Sequence, residues 1–496
     1  MTGPAAHPTG VLSRLAGPAG VRSWLARPAG VRWLGFFGAV CCAADAVLFG
    51  APPWIRQGVS VVSILRGPHG VLIMLLWIAG LTALCAAWWY GRRLELSRRW
   101  ILVTAALWIV PLLAVPPLAS RDMYAYACQG ALFDAGFNPS QVGIGAQPCP
   151  WLDSVSMVWR DTPTPYGPLW ILLTGFAASF GSQAVALGIF RLYAVLAVAA
   201  LAAAVPALAR RRGVAPEKAL WLVLCCPLVP VHFVGGGHND TLTMALLAAG
   251  LALVAGRRPM PALITGGALV GAAVAVKTTV GVVLPFAALL AAGGLELTRD
   301  GLLRFLRRGG AVVGGAVALL AVLSVVSGLG FGWAVALSGA GESRSWTSPP
   351  TAAGIAVNAA GKWFGAGYDV VPALRTAALV LLLVALVVIW WRFRRADPLH
   401  GAGLACLAVI FLAPITQPWY LFWPLTLLAV TTVGLRWLEI TVVASMFLIL
   451  PDGDGAWKPL QVPFAFLVTA GVIWVAGRSW RWLRSPVPAA EVPACD

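Results

Sequence analysis

Long apolar segments alternate with short polar connectors along almost the whole chain. The apolar segments run for about 15 to 23 residues, and a helix needs roughly 20 apolar residues to cross the hydrocarbon core of a membrane. Their continuous apolar character favours helices over the alternating strands of a β-barrel, because backbone groups in hydrocarbon must be hydrogen-bonded within the segment. We expect an all-α, polytopic transmembrane protein with about 13 or 14 spans, near 34–53, 71–90, 101–119, 187–209, 219–234, 240–256, 262–276, 279–293, 310–328, 373–391, 401–415, 419–434, 438–451 and 460–477. Short segments flanked by proline, such as 219–234 with 240–256, are alternatively broken helices that enter the membrane and return.

The composition excludes an ordinary soluble domain. Apolar residues make up 60% of the chain and charged residues only 11%, and the mean hydropathy is +0.84. A soluble domain carries roughly a quarter charged residues. A soluble core cannot absorb this much apolar surface, so the composition agrees with the pattern of spans.

Lysine and arginine indicate which ends of the spans face the cytoplasm. With the N-terminus inside, the inner connectors and tails hold 25 of the 35 Lys and Arg residues, which is the bias that the positive-inside rule requires. The net charge of +17 then comes from short inner connectors facing anionic lipid, not from a contiguous basic patch, which excludes a nucleic-acid partner. Residues 1–33 are expected to form a flexible basic cytoplasmic tail, and residues 478–496 a second cytoplasmic tail.

The longest polar stretch is expected on the outer, non-cytoplasmic side. The segment from Tyr166 to Phe180 is apolar enough to span, but counting it as a span would place Arg210, Arg211 and Arg212 outside. We therefore predict that it lies along the membrane surface. The resulting loop covers residues 120–186 and is called the 120–186 loop below.

This loop begins with Ser120-Arg121-Asp122-Met-Tyr124-Ala-Tyr126, immediately after a span. An aspartate at the membrane boundary is partly desolvated, which raises its pKa and suits it to remove a proton from an alcohol. Alternatively, Asp122 is a solvated cap or an ion-pair partner of Arg121, and the two tyrosines only anchor the chain at the interface.

Other polar groups are expected at the same side of the membrane. Lys277 follows an apolar stretch, where an ammonium costs about 3 kcal/mol at mid-bilayer, so it needs a partner, either Asp240 or a phosphate of the substrate. The outer cysteines Cys128 and Cys149 are expected to form a disulfide, with two unpaired thiols as the alternative. The other candidates for substrate contacts are Arg121, Tyr124, Tyr126, Asn138, Arg160, Asp161, Tyr166, His238, Asn239, Asp240, Arg344, Trp346, Trp419 and Tyr420.

Several of these motifs, in this order, resemble one family. They are Ser120-Arg-Asp-Met-Tyr-Ala-Tyr126, Gly136-Phe-Asn-Pro139, Trp159-Arg-Asp-Thr-Pro-Thr-Pro-Tyr-Gly-Pro168, Gly237-His-Asn-Asp240, Val276-Lys277, Arg344-Ser-Trp346 and Pro418-Trp-Tyr420. The chain is similar to the actinobacterial polyprenol-phosphomannose-dependent α(1→6)-mannosyltransferases, multi-span enzymes of the GT-C superfamily. The resemblance covers residues 34–477, which are therefore expected to be the transmembrane catalytic domain.

The resemblance implies roles for individual residues. Asp122 takes the position of the catalytic base, and the segment from Tyr166 to Phe180 matches the surface helix that follows the family's first large outer loop. Where the family pattern continues Asn-Pro-Tyr, this chain has Asn138-Pro139-Ser140, so the resemblance does not carry over any contact made by that aromatic ring.

The implied reaction is transfer of mannose from a polyprenyl-phosphate-mannose donor to a mannan or lipomannan acceptor. One base acting on one face of the sugar inverts the anomeric carbon, so a β-linked donor gives an α-1,6-linked product. The leaving phosphate needs cations, for which Arg344, Lys277 and Arg160 are the candidates. We expect no cofactor to be required; members of the superfamily differ in metal dependence, and no cluster of carboxylates in this sequence requires a metal.

The sequence leaves two alternative functions open. A flippase or transporter for a lipid-linked sugar would also have many spans and ionisable residues at mid-membrane, but it predicts inverted repeats, which the sequence lacks. Another GT-C enzyme, such as an arabinofuranosyl transferase that uses a polyprenyl-phosphate sugar, cannot be separated from a mannosyltransferase by these residues.

Overall fold

The computed structural model describes residues 25, 27–50, 59–336, 344, 346–453, 455 and 460–484, with the side chains of Val158 and of residues 475–484 left out. Within these ranges the chain is helical, and the only strand-like pairing is a single bridge between Ile449 and Gly455. The predicted all-α class is confirmed. Most of both expected tails lies outside the described residues.

The helices follow one another through the whole described chain. They are α1 (Pro28–Phe49), α2 (Val61–Arg66), α3 (Gly70–Gly91), α4 (Arg98–Ile109), α5 (Asp122–Asp134), α6 (Met157–Asp161), α7 (Pro168–Ala178), α8 (Gln183–Arg211), α9 (Pro216–Leu224), α10 (Asp240–Val254), α11 (Met260–Val276), α12 (Leu284–Ala292), α13 (Arg299–Val326), α14 (Gly332–Ala336), α15 (Pro349–Trp363), α16 (Val371–Phe393), α17 (Pro398–Leu412), α18 (Phe422–Leu428), α19 (Arg436–Met446) and α20 (Gln461–Arg484).

Five of these helices, α1, α3, α8, α13 and α16, are long and apolar enough to cross a membrane. Helix α9 and the π-helix Val229–Gly235 would form a sixth span that is bent by 56°. The bend follows from Pro227 and Pro230, because proline cannot donate a helical hydrogen bond and clashes with the preceding turn. Each of the fourteen predicted spans overlaps a helix, but several of those helices, such as α10 and α17, have only 15 residues.

The boundaries of the first and last helices differ from the expected ones. Helix α1 begins at Pro28, inside the segment that was assigned to the N-terminal tail, because proline is well suited to the first turn of a helix. Helix α20 continues to Arg484, beyond the expected end at residue 477.

Helix α16 shows why this bundle belongs in a membrane. The most apolar 18 residues of this helix have a mean hydropathy of 2.5, and only 6% of this stretch is buried inside the protein. An apolar helix that is left this uncovered requires lipid as its solvent, since exposed apolar patches of this size are rare on soluble proteins. The chain is therefore a multi-pass membrane protein.

Contacts between connectors divide the helix ends into two groups. At one end, Arg212 pairs with Asp397 at 2.8 Å, Arg92 pairs with Glu439, and Leu295 N donates to Arg394 O. All of these residues were assigned to inner connectors except Glu439, which lies at the inner end of the predicted span 438–451. At the other end, Leu118 N donates to Gly235 O at 3.1 Å, and Gly167 N donates to Val276 O at 3.4 Å. Gly235 and Gly167 were assigned to outer segments, and Leu118 and Val276 to the outer ends of predicted spans. The alternation of helices agrees with the pattern of lysine and arginine.

Small residues bring α11 and α13 into close contact. A Cβ atom on Gly267 would lie 2.0 Å from Val312 O, and one on Gly271 would lie 2.5 Å from Ala316 O. Small residues at such positions allow two membrane helices to approach closely. This packing fixes the end of α11, where Lys277 follows.

Candidate active site

Asp122 is the first residue of α5, and the chain that leads to it is tied down. Ala119 N donates to Pro451 O at 2.6 Å, and Ala119 has a positive φ of 56°. A non-glycine residue in this left-handed region costs about 1 kcal/mol or more, and such strain is typical of functional sites. Asp122 N donates to Ser120 Oγ at 3.0 Å. The carboxylate lies at the positive end of the α5 dipole, which stabilises its ionised form.

His238 contacts the Asp122 carboxylate. Its Nδ1 lies 3.2 Å from Asp122 Oδ2, and its side chain is almost completely buried. The imidazole stacks on Trp419 with ring centroids 3.8 Å apart. Gly237 makes this arrangement possible, because its φ is +67° and a Cβ atom there would lie 2.3 Å from Met123 Cγ. A side chain at position 237 would therefore push α5 and His238 apart.

The pKa of Asp122 is lowered, not raised as the sequence predicted. Burial is the largest single influence and raises this pKa, but the hydrogen bond and charge of His238, the charge of Lys277 and the hydrogen bond from Tyr126 together outweigh it. The carboxylate is thus ionised at neutral pH, which is the form a base needs. The expectation failed because it considered desolvation alone and not the neighbours that favour the charged form.

Two tyrosines complete the surroundings of Asp122. Tyr126 Oη donates to Asp122 Oδ2 at 3.4 Å and lies 3.3 Å from Tyr166 Oη, and the two rings meet edge to face. Burial raises the pKa of both phenols, so they remain neutral. Both contacts to the carboxylate are made to Oδ2. Among the described residues no hydrogen bond to Oδ1 is present, and 19% of the Asp122 side chain is exposed.

Lys277 has a protein carboxylate as its partner. Its Nζ lies 2.8 Å and 2.9 Å from the two oxygens of Asp240, which also accepts a hydrogen bond from Trp423 Nε1 at 2.7 Å. The ammonium lies 4.5 Å from the ring centroid of Tyr420, a distance at which a cation is attracted to an aromatic face. Of the two partners that the sequence left open, the structure contains Asp240.

Several buried polar atoms around this cluster have no hydrogen-bond partner among the described residues. They are His238 Nε2, both side-chain atoms of the Asn239 amide and both ring nitrogens of His232. A buried polar group without a partner costs about 1 to 3 kcal/mol, so such atoms mark places where a bound polar molecule would stabilise the protein. We define the Asp122 cluster as Asp122, Tyr126, Tyr166, His232, His238, Asn239, Asp240, Lys277, Trp419, Tyr420 and Trp423.

The sequence did not single out Trp423 or His232. Trp423 follows Trp419 by one helical turn, and this spacing could have indicated that the two rings share a face. His232 lies 5.3 Å from Trp419 and 6.1 Å from His238 between ring centroids. Its position in an apolar run gave no indication of this contact, because the bent π-helix is what turns it towards Trp419.

The remaining predicted residues of the 120–186 loop lie outside this cluster. Arg121 donates to Ser154 O at 3.2 Å, Arg160 donates to Val155 O at 3.0 Å, and Asn138 donates to Leu329 O at 3.3 Å. Asp161 is exposed, and Tyr124 packs with Cys128 and Cys149 in a separate apolar group. These contacts fix the shape of the loop, and the predicted substrate contacts of its residues stay predictions.

A disulfide joins Cys128 of α5 to Cys149, with the Cα atoms 5.4 Å apart. It fastens the middle of the 120–186 loop to the helix that begins with Asp122. Arg344 and Trp346 belong to another part of the structure. Arg344 forms an exposed ion pair with Asp369 at 2.6 Å, which lowers the pKa of Asp369 to about 2, and Trp346 stacks on Phe464.

No group of three or more His, Cys, Asp and Glu side chains in the described part of the chain is arranged to hold a metal ion. Among the described residues, the site consists of the ionised Asp122 carboxylate, whose Oδ1 accepts no hydrogen bond, the buried Lys277 ammonium, stacked aromatic rings, and amide and imidazole groups without a partner. Such a set can accept a proton from a hydroxyl and bind a polar ring that carries several hydroxyls.

Comparison with known proteins gives matches along most of the chain. Residues 32–293 match the family described as Alpha-(1->6)-mannopyranosyltransferase, N-terminal domain, and residues 350–478 match the MptB C-terminal domain. The chain is 33% identical to Alpha-(1->6)-mannopyranosyltransferase A of Mycobacterium tuberculosis, over 93% of this chain and 92% of that protein. It is 26% identical to Alpha-(1->6)-mannopyranosyltransferase B of Corynebacterium glutamicum, over 80% of this chain and 72% of that protein. No solved structure matches the chain.

Proposed function

The chain belongs to the alpha-(1->6)-mannopyranosyltransferase family, and on that basis we propose that it transfers mannose from polyprenyl-phosphate-mannose to a mannan or lipomannan acceptor in α-1,6 linkage, with Asp122 as the base. The observation that carries the assignment of the base is the ionised Asp122 carboxylate, held through Oδ2 by His238 while Oδ1 has no partner among the described residues. A lipid-linked donor suits a protein whose helices lie in the membrane.

In the proposed reaction, the hydroxyl of the acceptor mannose attacks the anomeric carbon of the donor from the face opposite the phosphate. The proton of that hydroxyl passes to Asp122, the new C–O bond forms, and the bond between the anomeric carbon and the phosphate oxygen breaks. A carboxylate with a lowered pKa is a weak base, so the proton transfers as the hydroxyl oxygen becomes acidic during bond formation. One displacement inverts the configuration, so a β-linked donor gives an α-linked product.

The leaving phosphate needs positive charge near the anomeric carbon. Lys277 is the best placed of the predicted cations, because its charge already acts on Asp122. Its contact with Asp240 leaves the third ammonium hydrogen available for a phosphate oxygen. Arg160 and Arg344 are weaker candidates, since the described contacts engage them elsewhere, with Val155 O and with Asp369.

The sugar rings are proposed to meet aromatic and amide groups. Trp419 and Tyr420 offer faces for an apolar sugar surface, and the Asn239 amide can donate to one hydroxyl and accept from another. With His238 Nδ1 engaged by Asp122, its Nε2 is available for a hydrogen bond with a hydroxyl. Binding would thereby satisfy the buried atoms that have no protein partner.

The Asp122 cluster is proposed to face the non-cytoplasmic side. It lies at the helix ends that were assigned to the outer side, whereas most Lys and Arg residues lie at the other ends. Because the positive-inside rule orients the chain, the acceptor would be a glycan that grows outside the cytoplasmic membrane.

The test is a transfer assay with membranes containing the full chain, radiolabelled polyprenyl-phosphate-mannose and a short α-mannoside. Asp122→Asn is expected to lower kcat by about 100- to 10,000-fold, the usual contribution of a general base. Asp134→Asn is the matched control, because it makes the same change at an exposed position of the same helix. Undiminished transfer by a folded Asp122→Asn protein would contradict the assignment of the base. Translocation of the lipid-linked sugar without transfer would support the flippase alternative, and transfer from a polyprenyl-phosphate-arabinose donor alone would support the other GT-C activity.

A further inference from the structure

Arginines from two separate connectors form one cleft at the end of the bundle opposite Asp122. The cleft lies between the start of α11 and the first turns of α13 and encloses about 460 Å³. Arg258 lines one side and Arg304, Arg307 and Arg308 line the other. In the sequence these residues belong to two short basic segments, and only the packing of α11 against α13 brings them together.

The positive charge of this cleft is largely uncompensated. Arg304 pairs with Glu296 at 3.3 Å, and both side chains are exposed. Among the residues that the structure describes, no carboxylate lies within ion-pair distance of Arg258, Arg307 or Arg308. Like charges gathered around one cavity repel one another, so the arrangement favours binding of an anion.

Hydrogen bonds to backbone oxygens hold the Arg308 side chain in place. Its guanidinium donates to Ala291 O at 2.7 Å and to Arg258 O at 3.2 Å. These carbonyls come from the end of α12 and from the connector that precedes α11, so Arg308 holds both segments in place. Arg258 and Arg307 make no such contacts with the residues that the structure describes, and they can turn to a ligand.

The apolar surroundings identify the kind of anion. Met260 and Leu303 line the cleft together with the arginines, and Leu302, Leu303 and Leu306 are exposed on the same turns of α13. Further along this helix, Val313 and Val317 are exposed as well. The cleft therefore lies where a lipid-facing apolar helix meets its charged end, which is the level of the lipid headgroups.

We propose that the cleft binds the phosphate headgroup of an anionic membrane lipid, with Arg258 and Arg307 contacting the phosphate and the acyl chains lying along the exposed leucines of α13. The planar guanidinium can make two parallel hydrogen bonds to phosphate oxygens. A free phosphate would use the arginines but leave the leucines without a partner. The site is distant from the Asp122 cluster, and the proposal does not depend on mannose transfer.

The experiment measures lipid binding to the full chain in detergent micelles by native mass spectrometry. The probes are phosphatidylglycerol, phosphatidylcholine with the same acyl chains, and soluble glycerol 3-phosphate. We expect phosphatidylglycerol to bind the wild-type protein at least about tenfold more tightly than either of the others, since charge-assisted hydrogen bonds are the strong ones. Equal binding of phosphatidylcholine, or equal binding of glycerol 3-phosphate, would overturn the proposal.

The double variant Arg258→Gln/Arg307→Gln is expected to lose this preference for phosphatidylglycerol. Arg299→Gln is the matched control, because Arg299 is exposed on the same helix and does not line the cleft, and it should bind like the wild type. Unchanged binding by the double variant would refute the inference. If that protein does not fold, Arg258→Lys/Arg307→Lys keeps the charge and should still prefer phosphatidylglycerol, but less strongly than the wild type. Loss of the preference in Arg299→Gln alone would equally count against the cleft.

Discussion

Replacing Lys277 with methionine is expected to destabilise the protein by about 3 to 5 kcal/mol, the usual cost of removing one partner of a buried ion pair. The side chain of Asp240 is completely buried and that of Lys277 is 10% exposed. Asp240 accepts two hydrogen bonds from Lys277 and one from Trp423. Methionine keeps the length of the side chain but leaves the carboxylate with the Trp423 contact alone.

The double variant Lys277→Met/Asp240→Leu provides the comparison. It removes both charges and leaves only Trp423 Nε1 without an acceptor, a loss of about 1 to 3 kcal/mol. The second substitution should therefore recover part of the stability that the first one removes, because a buried pair replaced as a whole costs less than a pair that is broken.

The measurement is unfolding of the purified full chain in detergent micelles, followed by helical circular dichroism. Lys362→Met is the control, since Lys362 is exposed on α15 and its replacement should change stability by less than about 0.5 kcal/mol. If Lys277→Met is no less stable than the double variant, Asp240 does not depend on Lys277 for its charge and the account of this pair is wrong.

Two further predictions concern the surroundings of Asp122. His238→Gln should lower kcat/KM by about 10- to 100-fold. It should also move the acid limb of the pH–rate profile to higher pH, because Asp122 loses the neighbour that most lowers its pKa while burial still raises that pKa. An unchanged acid limb would exclude His238 as the residue that keeps Asp122 ionised. Breaking the disulfide with Cys128→Ser should lower the free energy of unfolding by about 3 kcal/mol, as expected for a bridge that links residues 21 apart. If a reductant lowers the melting temperatures of the wild type and of this variant equally, this prediction is wrong.

Much of the fold was predictable from the sequence because the length and apolarity of a span are local properties. Every predicted span overlaps a helix, and two connectors that were assigned to the inner side, 210–218 and 392–400, meet through Arg212 and Asp397. The individual helix lengths were not predictable in the same way. Helix α9 stops at Leu224 because the prolines that follow break it, and only the structure shows that the chain then continues at 56°.

The candidate site was predictable in part. The sequence located Asp122 and Lys277, since an aspartate at a span boundary and a lysine within an apolar stretch both need an explanation. It did not give the direction of the pKa shift of Asp122, because that depends on His238, which lies 116 positions further along the chain.

The sequence by itself determined that this protein is helical, that it lies in a membrane and which helix ends lie together, because hydrophobic length and charge bias act on each segment separately. Only the tertiary structure decided which residues are partners. Lys277 meets Asp240, His238 meets Asp122, and Arg258 meets Arg307 across a cleft because distant helices pack against one another. Such pairings depend on the close approach of α11 and α13 and on the fit of Gly237 against Met123, which no single segment specifies.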